Sequence, residues 1–162
     1  MSIWKLYRRI LKFIARQLPG YQIRRCLLRA AGYTIGEDVY IGEDLIIIDE
    51  LDDRGNLNVG NRVAIAERIT LVISSRPNFS RIAPYVSTTC GPITIGDDAW
   101  LGTGAIVMPN ITIGQGGVVG ASSLVITDVP PFTVVAGVPA KSIKKVNYPQ
   151  DKDFDERNVS AR

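Results

Sequence analysis

The 162-residue chain contains no histidine. That absence excludes an imidazole general base, a His–Asp relay and any His-ligated metal. Cysteine is scarce as well. Cys26 and Cys90 are too few for a disulfide scaffold or a four-cysteine zinc site, and they fit a reduced, cytoplasmic compartment. A thiol nucleophile would lack its usual histidine partner. No apolar run approaches the length needed to cross a bilayer, and a secretory signal fits badly because charges run through the N-terminal apolar stripe. What remains, at 46% hydrophobic and 22% charged residues, is the composition of a soluble globular protein, and the length suits one domain with appendages.

Acidic residues are missing from the start of the chain. The first 36 residues hold eight basic side chains and no carboxylate before Glu37, leaving eleven basic against sixteen acidic residues, a net of −5, for the rest. On a helical wheel Ile3, Leu6, Tyr7, Ile10, Leu11, Ile14 and Leu18 gather on one side, with Lys5, Arg8, Arg9, Lys12 and Arg16 opposite. Residues 3–18 are therefore expected to form an amphipathic helix ended by Pro19-Gly20. Tyr21–Ala31 reads as a second short basic helix, with Ile23, Leu27 and Ala30 on one face and Gly32 beyond its end. The aliphatic face of the first helix either covers the end of the core or lies on an anionic membrane surface, where Trp4 and Phe13 would insert. No recognisable fold presents the basic stretch to nucleic acid, and no such partner is expected.

From Ile35 onward aliphatic residues recur every six positions. Ile35, Ile41 and Ile47 are followed in phase by Val59, Ile65 and Leu71, then by Ile95, Leu101, Val107, Ile113, Val119 and Val125. A second track lies four residues further on, with Val39, Leu45, Leu51, Val63, Ile69, Ala105, Ile111 and Val129, and a small residue often follows the first track directly. Repeats this short cannot bury an apolar face alone and must stack on their neighbours. A strand plus a corner fits within six residues, so the repeat predicts an all-β solenoid, a parallel β-helix with an N-terminal helical segment. Gly36, Gly42, Gly60, Gly114 and Asn110 are expected at corners with positive φ.

The rhythm stops twice. Asp49–Asn56 is polar, puts Asp53 on the inward phase and should bulge from the coil, and a segment at about 74–94, with three prolines, should leave it as an extended loop of the kind that carries function. Pro130-Pro131 is expected to end the ladder. The chain thus divides into basic helices over 1–32, a coiled domain over 33–146 and a polar tail over 147–162.

The stretch Gly91–Lys145, with IGDDAWLG, VGASS, the VPP break and AGVPAK, strongly resembles the C-terminal half of the hexapeptide-repeat acyltransferases, the family of galactoside and maltose acetyltransferases and of sugar O-acetyltransferases of polysaccharide modification. The resemblance implies a left-handed parallel β-helix, a homotrimer, acetyl-CoA as co-substrate in a cleft between subunits, no metal, and a small sugar or amine acceptor. By motif, Thr103, Ala121, Ile126 and Thr127 fall where such enzymes line the pantetheine arm. Lys141 and Lys144 fall where basic residues meet the 3′-phosphate of CoA, and Trp100 forms part of the wall beside the reactive end. By residue type alone the two lysines read as solvated surface and Trp100 as packing. The γ-class carbonic anhydrases share the fold but build a zinc site from histidines, so that reading is rejected.

The family removes the acceptor proton with a histidine followed by proline, 24 residues before the tryptophan; here that position is Arg76, followed by Pro77. A guanidinium does not accept a proton near neutrality. Three outcomes follow. An already nucleophilic acceptor, such as an amine, could be positioned against the thioester. A replacement base could come from Glu67, Ser75 or the carboxylates of Asp49–Asp53. Or the protein binds CoA or a glycan without turnover, with Arg76 docking an anionic group.

Overall fold

In the computed structural model, which describes residues 3–50 and 55–147, two helices precede a stack of short strands. α1 (Ile3–Gln17) and α2 (Tyr21–Ala30) lead into a first turn of β1 (Thr34–Ile35), β2 (Tyr40–Ile41) and β3 (Ile46–Ile48). The second turn is β4 (Leu57–Val59), β5 (Ala64–Ile65) and β6 (Thr70–Val72). The chain then leaves the stack through an antiparallel pair, β7 (Ser74–Ser75) and β8 (Thr89–Cys90), with a 3-10 turn at Ala83–Tyr85 between them. It returns as β9 (Ile93–Ile95), β10 (Trp100–Leu101) and β11 (Ile106–Val107), and continues as β12 (Ile111–Ile113), β13 (Val118–Val119) and β14 (Leu124–Val125). β15 (Thr133–Gly137) and β16 (Ala140–Lys145) form a closing hairpin.

The chain visits three sheets in rotation. Sheet A holds β1, β4, β9 and β12, sheet B holds β2, β5, β10, β13 and β15 with β16 at its end, and sheet C holds β3, β6, β11 and β14. The six-residue rhythm is the register of these ladders. Ile35, Val59, Ile95 and Ile113 stack in sheet A, Ile41, Ile65, Leu101, Val119 and Val135 in sheet B, and Ile47, Leu71, Val107 and Val125 in sheet C. All are buried, each contributing roughly 1.5–3 kcal/mol. The second track fills the corners between them: Val39, Val63, Ile69, Ala105, Ile111 and Val129 are buried and Leu45 partly so, whereas Leu51 lies outside the described residues, as does Asp53.

The corners correct one expectation. Positive φ falls three residues beyond an inward aliphatic, at Asp38, Asp44, Arg62, Arg68, Asp98, Asn110 and Ser122, with φ between 54° and 62°. Asn110 is as expected, but Gly36, Gly42, Gly60 and Gly114 are not among the positive-φ residues. Those glycines serve close approach of successive turns instead: a Cβ on Gly36 would lie 2.4 Å from the Gly60 carbonyl oxygen. Pro130-Pro131 does not end the ladder either, because Val129 bridges Ile113 and β15 then joins sheet B beside β13.

The helices turn a mixed face, part cationic and part aliphatic, toward the stack. Arg8, Leu11 and Ala15 of α1 and Arg24 and Leu28 of α2 are buried, while Ile3, Leu6, Tyr7, Ile10 and Leu18 face outward, Ile3 with 88% of its surface exposed. On α2, Ile23 and Ala30 are exposed and Leu27 is partly buried. Leu11, Ala15 and Leu28 thus join the core, while most of the α1 aliphatic stripe lies outside it. The physical reason is the polar edge of the first turn, whose carbonyls have no strand beyond them. Arg24 Nη1 donates to the Ile41 carbonyl at 2.7 Å, and Arg29 donates to the Ile35 and Gly36 carbonyls at 2.7 and 2.5 Å. Guanidinium donors satisfy these oxygens; a leucine face could not.

Candidate active site

After the inward residues of sheets A and B come glycine or alanine, as at Gly60, Ala66 and Gly102, but after those of sheet C come Ile48, Val72, Met108 and Ile126. Large side chains therefore project from one corner of the stack. Both interruptions of the rhythm leave at this corner: the polar insert follows Ile48, the long loop follows Val72, and these two residues are register partners in β3 and β6.

Between the interruptions lies a cleft of ≈ 450 Å³ lined by Asp49, Glu50, Ser74, Ser75, Arg76 and Asn78 over a floor of Ile48, Val72 and Met108. Asp49 belongs to the framework. Its buried carboxylate accepts from Arg8 Nη2 at 3.3 Å, from the Tyr33 hydroxyl at 2.6 Å and from Lys12. Glu50 meets Arg76, with Arg76 Nε 3.1 Å from Glu50 Oε1 and both side chains about half exposed. Ser74 sits deeper. It is buried, and its Oγ has no hydrogen-bond partner, an arrangement that costs about 1–3 kcal/mol unless something completes it. Its neighbour Ser75 is exposed, and Ser74 and Ser75 pair with Cys90 and Thr89 across the β7–β8 ladder.

Glu67 stands elsewhere, at the opposite edge of sheet C, with β6 between it and Ser75–Arg76. Its Oε1 accepts from the Tyr40 hydroxyl at 3.1 Å and its Oε2 from Thr103 Oγ1 at 3.4 Å. Its own backbone N–H and then the Tyr40 hydroxyl hold its pKa below the usual carboxylate range, which makes it a weaker proton acceptor, and that bond pushes the Tyr40 phenol up. Thr103 and Ala121 follow Glu67 in one exposed column at this edge, tied by Gly104 N–H to Glu67 O at 3.0 Å and Ser122 N–H to Thr103 O at 2.9 Å.

Trp100 projects outward from β10, 56% exposed, and is no packing residue within this chain. Ile126 and Thr127 are exposed at the same corner as Ile48 and Val72, one turn above Met108. Thr127 and Lys141 line a second cleft, of ≈ 290 Å³, with Asp128 and Ser142. Lys144 is exposed opposite Val134 in the β15–β16 hairpin. Within one chain, then, the expected pantetheine contacts divide between the two edges of sheet C, with Thr103 and Ala121 on one and Ile126 and Thr127 on the other. Among the described residues no three histidine, cysteine or acidic side chains gather as a metal site.

Stacked parallel turns of six-residue units, with clefts along the corners of one sheet, define a hexapeptide-repeat protein. Residues 92–127 match the bacterial transferase hexapeptide (six repeats) family. Over 120 residues the chain is 34% identical to galactoside O-acetyltransferase of Escherichia coli K12, covering 74% of this chain and 57% of that protein. It is 51% identical over 55 residues to a chloramphenicol acetyltransferase of Agrobacterium fabrum, covering 34% and 26%. Among solved structures, a hexapeptide-repeat acetyltransferase of Vibrio cholerae complexed with acetyl-coenzyme A aligns at a TM-score of 0.73 and 25% identity, covering 90% of this chain and 88% of that one. A galactoside acetyltransferase in complex with coenzyme A aligns at 0.68 and 28%, covering 89% and 81%. The chain belongs to the hexapeptide-repeat acyltransferase family; it spans about half the length of the curated relatives it matches.

Proposed function

We propose that this protein is a CoA-dependent acyltransferase that moves the acetyl group of acetyl-CoA to a sugar hydroxyl or amine. The reading further takes the stack as a left-handed parallel β-helix and the working unit as a homotrimer in the cytoplasm, acting in polysaccharide modification. One observation carries it: the alignment, over nine-tenths of the chain, with a structure holding acetyl-CoA. Thr103 and Ala121 from one subunit and Ile126 and Thr127 from the next would flank the pantetheine arm. Trp100 would wall the reactive end, and Lys141 and Lys144 would meet the 3′-phosphate as point charges. The cleft of Ser75 and Arg76 would take the acceptor.

The lack of histidine favours a second reading, a CoA- or glycan-binding protein without turnover. Thiol release from acetyl-CoA separates the two. Purified protein supplied with galactosides, maltose and glucosamine is expected to liberate free CoA thiol. Calorimetric binding of CoA without release would establish the second reading instead.

A further inference from the structure

The cleft at the sheet C corner contains an arginine where the family keeps its base, and the arginine reaches a carboxylate. Arg76 Nε lies 3.1 Å from Glu50 Oε1. Glu50 follows β3 and Arg76 follows β6 and β7, and the pairing of β3 with β6 brings the two side chains together. The cleft's other described carboxylate, Asp49, is buried against Arg8, Lys12 and Tyr33 and is committed to holding α1. Glu50 instead has 42% of its side chain exposed at the cleft, and Ser74 Oγ, buried in the same wall, lacks a partner.

Resting on the acetyl transfer proposed above, we infer that Glu50 is the general base of this protein and that Arg76 is the residue that positions it. The acceptor oxygen or nitrogen forms a bond to the thioester carbonyl carbon while its proton passes to the Glu50 carboxylate. Collapse of the adduct breaks the C–S bond and leaves the electron pair on the CoA sulfur. The proton then moves from Glu50 to that thiolate, giving the CoA thiol and restoring the carboxylate. No metal or further reactant is needed. The Arg76 guanidinium, its Nε 3.1 Å from Glu50 Oε1, holds the carboxylate at the cleft.

The test measures thiol release with methyl β-galactoside, with glucosamine and with water alone as acceptor, beside calorimetric CoA affinity and the melting temperature of each variant. Glu50→Gln is expected to lower kcat about 10²–10⁴-fold with CoA affinity and melting unchanged, and Glu50→Asp to recover part of the loss. Arg76→Lys is expected to retain more activity than Arg76→Ala, as a positioning role requires. An unchanged kcat in Glu50→Gln overturns the inference and leaves acetyl transfer standing. Wild-type protein that releases no thiol with any of the three overturns the transferase reading and the base together.

Discussion

Arg8 carries a full positive charge where no solvent reaches it. Its Nε donates to the Ala31 carbonyl at 2.7 Å, its Nη2 to Asp49 at 3.3 Å, and its guanidinium carbon lies 5.5 Å from the Tyr33 ring centroid. Such a charge is tolerable only while its partner is present, and breaking a buried pair from one side typically costs about 3–5 kcal/mol. Asp49→Ala is therefore expected to lower stability by that amount, read as a fall in the urea midpoint at unchanged m-value. The same cluster has an alkaline signature. Burial first, and the Asp49 carboxylate next, raise the Tyr33 phenol far above its ordinary 10.0. The folded state thus keeps a proton that the unfolded chain gives up, so this contribution is whole below pH 10 and is lost as pH rises beyond it. Tyr33→Phe, which removes a donor to a buried carboxylate, is expected to cost about 1–3 kcal/mol at neutral pH. It should also flatten the decline of stability above pH 10; an equal decline in both proteins would refute the assignment.

At the scale of elements, the helices show what a sequence reading can and cannot deliver. Their positions and the excess of cations are visible in residues 3–30, because periodicity and charge are local properties. Which face turns inward is not, since the wheel sees the stripe but not the row of edge carbonyls at Ile35, Gly36 and Ile41 that requires donors. The cations also find acids of the first turn: Arg16 pairs with Asp44, Arg24 with Glu43, and Arg25 and Arg29 with Glu37. The charge division of the chain is thus in large part an internal match, and electrostatic attraction to an anionic surface is correspondingly reduced. What α1 leaves outward is apolar, and a stripe of this kind calls for a cover. Contact of residues 3–18 with a membrane surface is an expectation to be tested. Deleting the segment would be a poor test, because it would leave Asp49 buried without Arg8 and Lys12. A Leu6→Asp, Ile10→Asp double variant keeps the anchor and removes two aliphatic contacts of roughly 1.5–3 kcal/mol each. Wild-type protein is expected to co-sediment with phosphatidylcholine–phosphatidylglycerol vesicles with little salt dependence, and the variant to bind at least about tenfold more weakly. Failure of the wild type to sediment would remove membrane contact from the account.

At the scale of the whole molecule the stack was legible from Ile35 to Val125 because the same two positions of the six-residue unit turn inward along it. The cleft lined by Ser75 and Arg76 was only half legible. Arg76 announces itself by motif and Ser75 only by standing next to it, whereas Glu50 is one of several acids in the Asp49–Asp53 run until β3 and β6 are aligned. Then the equal phase of the two interruptions brings it to Arg76, and the buried Ser74 emerges with it. The expected CoA contacts raise a further question of geometry, since Ala121 and Thr127 sit at opposite edges of sheet C. In a cyclic trimer each groove would join one edge from one subunit to the other edge of its neighbour. Ala121→Trp and Thr127→Trp are each expected to abolish CoA binding by filling one side of every groove. In trimers assembled from an equal mixture of the two variant chains, about a quarter of the grooves would combine an intact Ala121 edge with an intact Thr127 edge. Calorimetric titration of the mixture should therefore recover about a quarter of the wild-type stoichiometry at wild-type affinity. Sites built within single chains would carry a lesion in every copy and recover nothing, and that result would place the cofactor on one subunit alone.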